Sequence, residues 1–303
     1  MTFLWVLFIG ILRILQATFN KKSSLSLSSP GAHLRFGLYF ESAAAIFSLL
    51  YLFINGVSGF NAAAIICSAI MGVSFVLELA TSLKSLQSAP LALCTMCSLG
   101  GGIVLPTVLG IFVFNEPMSI WQWIGIIFFF ISAYLLMPVE NNTLSLKGSA
   151  VIILICNFLI NGLCGFISKY FAVTVVDGNP ASFAFLSYLF ASVLFTVILS
   201  VSCFKRKAMP QNDASSLPEK EPFLPNPVYF YGGAVGAVCA SIVFLTTVLS
   251  RVVSIVILNT VPNAVCLIGS LLLEVTVFNG SFSLRNTSGI ILNALATAVI
   301  VLF

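Results

Sequence analysis

Four ionisable side chains lie inside long apolar runs of the sequence: Arg13, Glu41, Glu78 and Glu274. A charge at the centre of a membrane-inserted helix costs roughly 2.5–3.5 kcal/mol, so a charge in such a position usually serves a function. Arg13, Glu41 and Glu78 lie at comparable depths, about 9–12 Å along their helices from one end at about 1.5 Å per residue. This spacing predicts an ion pair or a coupling site among the three. Glu274 is expected at the membrane interface.

Two interpretations of these charges stay open. In the first, they form a structural ion pair near the headgroups, or long side chains extend to the interface. In the second, Glu78 exchanges protons during a transport cycle, because a low-dielectric interior favours the neutral form of a carboxyl group. Glu78 is also a candidate for contact with a substrate.

Two pairs of asparagines provide further candidates for substrate binding. Asn157 and Asn161 are four residues apart, and so are Asn259 and Asn263. Residues i and i+4 share one face of a helix, so each pair could present two amides to the same cavity.

Glycine and proline cluster near the centre of two apolar runs. Gly100, Gly101 and Gly102 precede Pro106, and Pro262 lies between Asn259 and Asn263. Proline removes a backbone hydrogen bond and glycine weakens a helix, so we expect both helices to be interrupted and to expose carbonyls to a ligand. Gly101 is therefore a candidate binding residue. The alternative for the glycines is close helix packing through small residues.

The composition excludes a soluble globular domain. Of the 303 residues, 59% are apolar and 7% are charged, whereas a soluble domain carries about a quarter charged residues. The net charge of +4 provides no basic face for nucleic acid. The pair Cys94-x-x-Cys97 lacks a second pair, and the chain has one histidine, His33, so we predict neither a metal site nor a cofactor.

Ten apolar runs are long enough for spanning helices, which need about 20 residues each. The sequence thus predicts an all-α integral membrane protein with ten transmembrane helices. The runs are Phe3–Phe19, Leu34–Ile54, Ala62–Leu83, Pro90–Phe114, Ile120–Met137, Ser149–Phe171, Ala181–Phe204, Val228–Leu249, Ser254–Phe278 and Asn286–Phe303.

The chain contains an internal repeat. A shift of about 164 positions aligns Phe114-Asn115-x-x-x-Ser119 with Phe278-Asn279-x-x-x-Ser283, and each is followed by a glycine, Gly125 or Gly289. We predict two five-helix units, residues 1–140 and 141–303, with a polar linker at about 205–227. Because five is odd, the two copies enter the membrane in opposite orientations, as in the inverted repeats of many secondary transporters.

The distribution of Lys and Arg predicts the orientation. Loops on the side of the termini carry Lys169 and Arg251, whereas the opposite loops carry Lys21, Lys22, Arg35, Lys84, Lys147, Lys205, Arg206, Lys207, Lys220 and Arg285. We therefore expect a multi-pass protein of the plasma membrane, with both termini outside and the linker in the cytoplasm.

The fourth and fifth runs resemble a known family. Pro106, the segment Val113–Ser119 and the segment Trp121–Gly125 are similar to the end-of-repeat signature of EamA-like members of the drug/metabolite transporter superfamily. Lys21-Lys22 and the segment Leu83–Pro90 resemble joins in the same family. The second copy is degenerate, since Gly280 stands where the first has Glu116. The resemblance implies the ten-helix fold, transport of a small metabolite, and a third helix, here that of Glu78, facing the cavity.

We therefore expect a secondary active transporter of a small polar metabolite that works by alternating access, with proton coupling and exchange both open. It is not expected to be an enzyme. The alternatives are a membrane-embedded enzyme that acts on a lipid-linked substrate, and a channel. The expected partners are a small-molecule substrate and membrane lipid, with a homodimer left open.

Overall fold

The computed structural model describes residues 2–27, 29–115, 118–136, 139–140, 143–144, 146–175, 177–208, 226–249, 252–253, 255–277 and 284–302. Several predicted features lie outside the described residues: Glu116 and Pro117, Phe278 to Ser283, Arg251 and the linker residues 209–225. The side chains of Asn259 and Glu274 also lie outside this description.

The described part of the chain folds into α-helices joined by short connections. The helices are α1 (Thr2–Ser26), α2 (Pro30–Asn55), α3 (Ala62–Ser88), α4 (Leu91–Phe114), α5 (Ile120–Leu136), α6 (Gly148–Thr174), α7 (Pro180–Ala208), α8 (Asn226–Leu249), α9 (Ile255–Thr276) and α10 (Leu284–Leu302). Two short antiparallel strands, β1 (Val139–Glu140) and β2 (Thr143–Leu144), lie between α5 and α6.

Seven of the described helices, α1 to α4 and α6 to α8, are long and apolar enough to cross a membrane. The apolar segments in α5, α9 and α10 are shorter: Ile120–Leu136, Val261–Ser270 and Thr287–Ala296. Helices satisfy their own backbone hydrogen bonds, which lipid cannot do. The protein is therefore an α-helical, multi-pass membrane protein.

Polar residues set several helix ends. The Ser29 side chain accepts a hydrogen bond from the Ala32 backbone N–H at the start of α2, and Asn61 accepts one from Ala64 at the start of α3. These side chains satisfy backbone donors that the first turn leaves without a partner. Asn115 ends α4 in the left-handed conformation, with φ of 51°.

The helices pack in pairs that are distant in sequence. The most extensive contacts join α4 to α6, α2 to α7, α5 to α10, α2 to α8, α3 to α7, α1 to α9, α3 to α6 and α1 to α8. Large apolar side chains such as Ile54, Phe112 and Phe204 remain exposed on the outside, where lipid would cover them. One buried apolar cluster lies where α2 and α3 meet α6 to α8, and a second lies mainly among α4, α5 and α10.

The predicted interruptions of the fourth and ninth helices are wrong. Helix α4 continues through Gly100–Gly102 and Pro106, and α9 continues through Pro262. A proline removes one backbone hydrogen bond, whereas unwinding a segment would leave several backbone groups unpaired in lipid. The helical arrangement consequently persists at both prolines.

The glycines of α4 and α6 allow the two helices to approach closely. A Cβ at Gly101 would overlap the backbone carbonyl of Phe158, and one at Gly162 would lie 2.6 Å from the carbonyl of Gly101. A Cβ at Gly165 would lie 3.1 Å from Cγ of Pro106. Small residues at such a contact let helix backbones pack directly against each other. We call this contact the glycine seam.

Candidate functional site

A cavity of about 110 Å³ lies inside the bundle, where helices of both predicted units meet. We call it the central cavity. Its lining includes four charged side chains, two cations and two carboxylates, together with polar and aromatic groups. The charged residues are Arg13, Glu41, Glu78 and Lys169, and the lining also includes Gln16, Phe40, Met71, Phe75, Gly102, Asn161, Ser168, Tyr188 and Thr246.

The structure brings Arg13, Glu41 and Glu78 to this one cavity. Each lies close to the middle of its helix, deeper than the expected 9–12 Å, because α1 continues to Ser26, α2 begins at Pro30, and α3 continues to Ser88. At about 1.5 Å per residue, the three charges lie roughly 15–20 Å from those helix ends. The expected distance of about 9–12 Å is counted from Lys21, Arg35 and Lys84, and the three helices continue beyond those residues.

Glu78 lies between a cation and an amide. Its carboxylate is attracted by the charge of Arg13 and is within hydrogen-bonding reach of the Asn161 side chain. Both Arg13 and Asn161 also line a second, smaller cavity beside the first. Arg13 therefore provides a nearby opposite charge for Glu78, although its own Nε has no hydrogen-bond partner in the described part of the protein.

Glu41 is in a different position. Its side chain is 1% exposed, and neither carboxylate oxygen has a hydrogen-bond partner among the described residues. Glu78 is close enough to repel it. A buried ionised carboxylate without compensation is costly, so Glu41 needs a proton or a cationic partner from within the cavity.

Lys169 is a site residue that the sequence analysis misassigned. It was counted as a loop charge, but it lies within α6, is 5% exposed and lines the central cavity. Its ammonium group lies 4.8 Å from the centre of the Phe114 ring, close enough for a cation–π interaction. Its position within the apolar run Ser149–Phe171 was the signal that could have identified it. Of the two basic residues that the sequence analysis assigned to loops on the side of the termini, Arg251 then remains.

An aromatic wall forms one side of the central cavity. The rings of Phe75 and Tyr188 are stacked, with centroids 4.7 Å apart and an interplanar angle of 20°. Tyr188 is 2% exposed. The wall provides an apolar surface beside the charged groups, so the cavity can accept a solute that has both polar and apolar parts.

The asparagine candidates separate into different places. Asn161 lines both cavities, whereas Asn157 is buried against α3, where Thr81 Oγ1 lies 3.4 Å from its Oδ1. Asn263 donates a hydrogen bond to the backbone carbonyl of Leu99 and lies away from the central cavity. Gly101 is part of the glycine seam. Of these four residues, Asn161 has the most direct access to a solute.

The second cavity, about 60 Å³ in volume, extends from Arg13 and Glu78 towards one end of the bundle. Its further lining includes Asn20, Ser82 and Thr95, near the ends of α1 and α3 and the start of α4. The Oδ1 atom of buried Asn20 has no hydrogen-bond partner among the described residues, and such groups in proteins usually bind water. These polar groups make the second cavity a suitable place for ordered water.

Two loops are joined at the opposite end. Asn179 Nδ2, which precedes α7, donates hydrogen bonds to the Gly56 carbonyl at 2.9 Å and to Ser58 Oγ at 3.2 Å. The Ser182 hydroxyl also donates to the Ser58 carbonyl. These contacts link the α2–α3 connection to the α6–α7 connection, and we call them the loop latch. The latch ties the two connections to each other at this end of the bundle.

The cysteines have no cross-links among the described residues. The cysteines that form no disulfide are Cys67, Cys94, Cys97, Cys156, Cys164, Cys239 and Cys266. Cys94 is packed within the core and its Sγ lies 3.6 Å from the Ala89 carbonyl. The part of the chain that the structure describes contains no group of three or more His, Cys, Asp or Glu side chains that could hold a metal ion.

No protein-family model and no curated protein matches the sequence. Among solved structures, 28 chains match the fold. One of them, described as a crystal structure of a protein, has a TM-score of 0.66 and 15% sequence identity over 98% of this chain and 96% of that chain. At this identity the similarity shows a shared fold and nothing about activity, so the chain has a membrane-helix fold that is also found in a solved protein of nearly equal length.

Proposed function

We propose that the protein is a secondary active transporter that carries a small polar metabolite across the membrane by alternating access. The observation that carries the proposal is the central cavity: a small, charged chamber near the middle of the helices, lined by α1 to α4 on one side and by α6 to α8 on the other. A solute held between two halves of a bundle can be exposed to either side when the halves move.

The helix pairing supports two repeats of five helices, the layout that the resemblance of the first repeat to EamA-like transporters implies. In this repeat, α1 corresponds to α6, α2 to α7, α3 to α8, α4 to α9 and α5 to α10. Replacing each helix by its counterpart converts the α4–α6 pair into α9–α1, α2–α8 into α7–α3, and α3–α6 into α8–α1. All of these pairs are in contact. The pairs α2–α7, α4–α9 and α5–α10 convert into themselves and are also in contact. This regularity is what a twofold relation between the two units would produce.

The two ends of the bundle support alternating access in a second way. The loop latch joins two connections at one end, and the second cavity lies on the side of the other end. By the charge distribution, the latched end is the outer one, and the end with Lys21 and Lys84 is cytoplasmic. We therefore propose ten membrane crossings with both termini outside, in a state closed to the exterior.

Uptake into proteoliposomes tests this function. Radiolabelled small polar metabolites should enter vesicles with saturable kinetics, with or without a pH gradient. Loading the vesicles with the same unlabelled solute should accelerate entry, because a carrier returns faster when it is occupied. Uptake that does not saturate and is indifferent to internal solute would indicate a channel. Chemical conversion of the solute without its accumulation would indicate an enzyme.

A further inference from the structure

We propose that the substrate is a small zwitterion, whose carboxylate is bound by Arg13 and whose ammonium group is bound by Glu41. This inference rests on the proposed transport function and specifies the chemical class of its solute. It follows from two buried, oppositely charged groups that line one cavity and lack hydrogen-bond partners at the relevant atoms.

The first step concerns what the two groups need. Arg13 Nε is a donor and the two Glu41 oxygens are acceptors, and none of the three has a protein partner among the described residues. A carboxylate is the natural partner for a guanidinium group, and an ammonium group supplies the donors that a carboxylate accepts. One solute that carries both groups would satisfy both residues.

The second step concerns the charge balance. Two cations, Arg13 and Lys169, and two carboxylates, Glu41 and Glu78, line the central cavity, so their formal charges sum to zero. A solute with a net charge would leave that charge uncompensated in a low-dielectric interior, which is costly. A zwitterion adds separated charges without adding net charge.

The third step concerns size and shape. The two adjoining cavities have volumes of about 110 and 60 Å³, and a cavity of about 150 Å³ can hold a molecule such as benzene. The rings of Phe75 and Tyr188 and the side chain of Met71 line the larger one. They provide an apolar surface for the body of the solute. A compact zwitterion with a small apolar substituent fits this combination.

Thermal unfolding of the purified full-length protein in detergent tests the proposal with six probes. Alanine is compared with ethylammonium and propionate, and leucine with 3-methylbutylammonium and 4-methylpentanoate, so that each zwitterion is matched by its ammonium-only and carboxylate-only counterparts. A ligand that binds the folded state raises the melting temperature with concentration. We expect at least one zwitterion to do so at concentrations about tenfold or more below its counterparts, because each counterpart lacks one of the two charged contacts.

A pair of variants assigns the response to the site. Glu41→Gln should lose the stabilisation by the zwitterion, whereas Lys84→Gln, which changes an exposed charge in α3, should retain it. If Glu41→Gln does not fold, the comparison of the six probes with the unsubstituted protein decides alone. Three results would overturn the proposal. They are equal stabilisation by a zwitterion and its ammonium counterpart, stabilisation by the carboxylate counterpart alone, and no response to any probe. If the protein then showed saturable uptake of a purely cationic or anionic solute, the proposed transport function would hold and the zwitterionic substrate would be wrong.

Discussion

The side-chain amide of Asn263 donates a hydrogen bond to the backbone carbonyl of Leu99 across 3.0 Å, and so joins α9 to α4. The tie is buried, with Asn263 5% exposed. It uses the amide that the sequence analysis assigned to a substrate, and Asn263 Oδ1 has no partner among the described residues. The position of this amide makes the two roles separable by experiment.

We expect Asn263→Ala to lower the stability of the protein by about 1 kcal/mol, the usual contribution of one intramolecular hydrogen bond. Melting in detergent measures the change. Thr174→Ala is the control, because exposed Thr174 makes a local hydrogen bond within its own helix. Normal melting combined with a loss of solute uptake would instead support a substrate-binding role for Asn263.

Gly101→Ala should destabilise the protein by about 1–3 kcal/mol, because the added methyl group would overlap the Phe158 carbonyl in the glycine seam. Gly148→Ala is the matched control: a Cβ there meets nothing within 4 Å, and alanine is the better helix former. Expression and melting temperature distinguish the two variants. If Gly101→Ala folded normally and lost substrate binding, Gly101 would be a ligand residue rather than a packing residue.

Arg13 and Glu78 should show favourable coupling in a double-mutant cycle. Either single change to glutamine leaves the other buried charge without its nearby counter-charge. We expect both Arg13→Gln and Glu78→Gln to reduce the melting temperature, and the double variant to recover part of the loss, with a coupling energy of about 0.5–3 kcal/mol.

Transport assays of Glu78→Gln distinguish the two interpretations of this carboxyl. Glu78 is a proton carrier if the variant keeps normal stability, loses the uptake that a proton gradient drives, and retains the exchange of labelled for unlabelled solute. If the changes in melting temperature of Arg13→Gln and Glu78→Gln were additive in the double-mutant cycle, that result would also contradict a structural pair. The glutamine keeps the hydrogen-bonding shape of the side chain and removes its titration.

The loop latch should control access to the central cavity from its own end. Asn179→Ala removes the hydrogen bonds to Gly56 and Ser58, so this end should open more often. The reporter is Cys239, which lines the cavity, in a protein whose other cysteines are replaced by serine or alanine. A membrane-impermeant thiol reagent added at the latched side should modify it faster.

Asn55→Ala is the control for the latch, since exposed Asn55 bonds to the Tyr51 carbonyl of its own helix. Modification of Cys239 should proceed at the unsubstituted rate in that variant. An Asn179→Ala variant with an equally unchanged rate would show that the latch does not limit access.

Single cysteines test the proposed orientation in a protein from which the native cysteines have been removed. Ala214→Cys in the linker should react with an impermeant reagent from the cytoplasmic side alone, as the distribution of Lys and Arg requires. Ser58→Cys, in the loop between α2 and α3, should react from the opposite side. Labelling of Ala214→Cys in intact cells would reverse the assignment of both ends.

Convergence of Arg13, Glu41 and Glu78 could be anticipated from sequence, because charges inside apolar runs are costly and rarely accidental. Their different surroundings could not. Glu78 gains Asn161 from α6, whereas Glu41 gains no hydrogen-bond partner among the described residues. That difference depends on how distant helices pack, which no local pattern in one sequence records.

The prolines and glycines show the opposite case, in which a clear sequence signal had a different structural outcome. Pro106 and Pro262 were expected to break their helices, but the surrounding backbone remains helical. Gly101, a candidate ligand, lies where two backbones touch. Small residues serve both for binding and for packing, and the neighbouring helix decides between them.

The balance of formal charges around the central cavity also bears on how the protein responds to voltage. Moving one elementary charge through the membrane field changes the free energy by about 2.3 kcal/mol for each 100 mV. With both carboxyls ionised, Arg13, Lys169, Glu41 and Glu78 together carry no net charge, and a change of state that exposes them to the other side then moves no net charge across the membrane. An empty carrier with a proton on Glu41 instead has one positive charge in excess at the cavity, so its return should depend on the membrane potential, whereas the movement of a carrier loaded with a zwitterion should not.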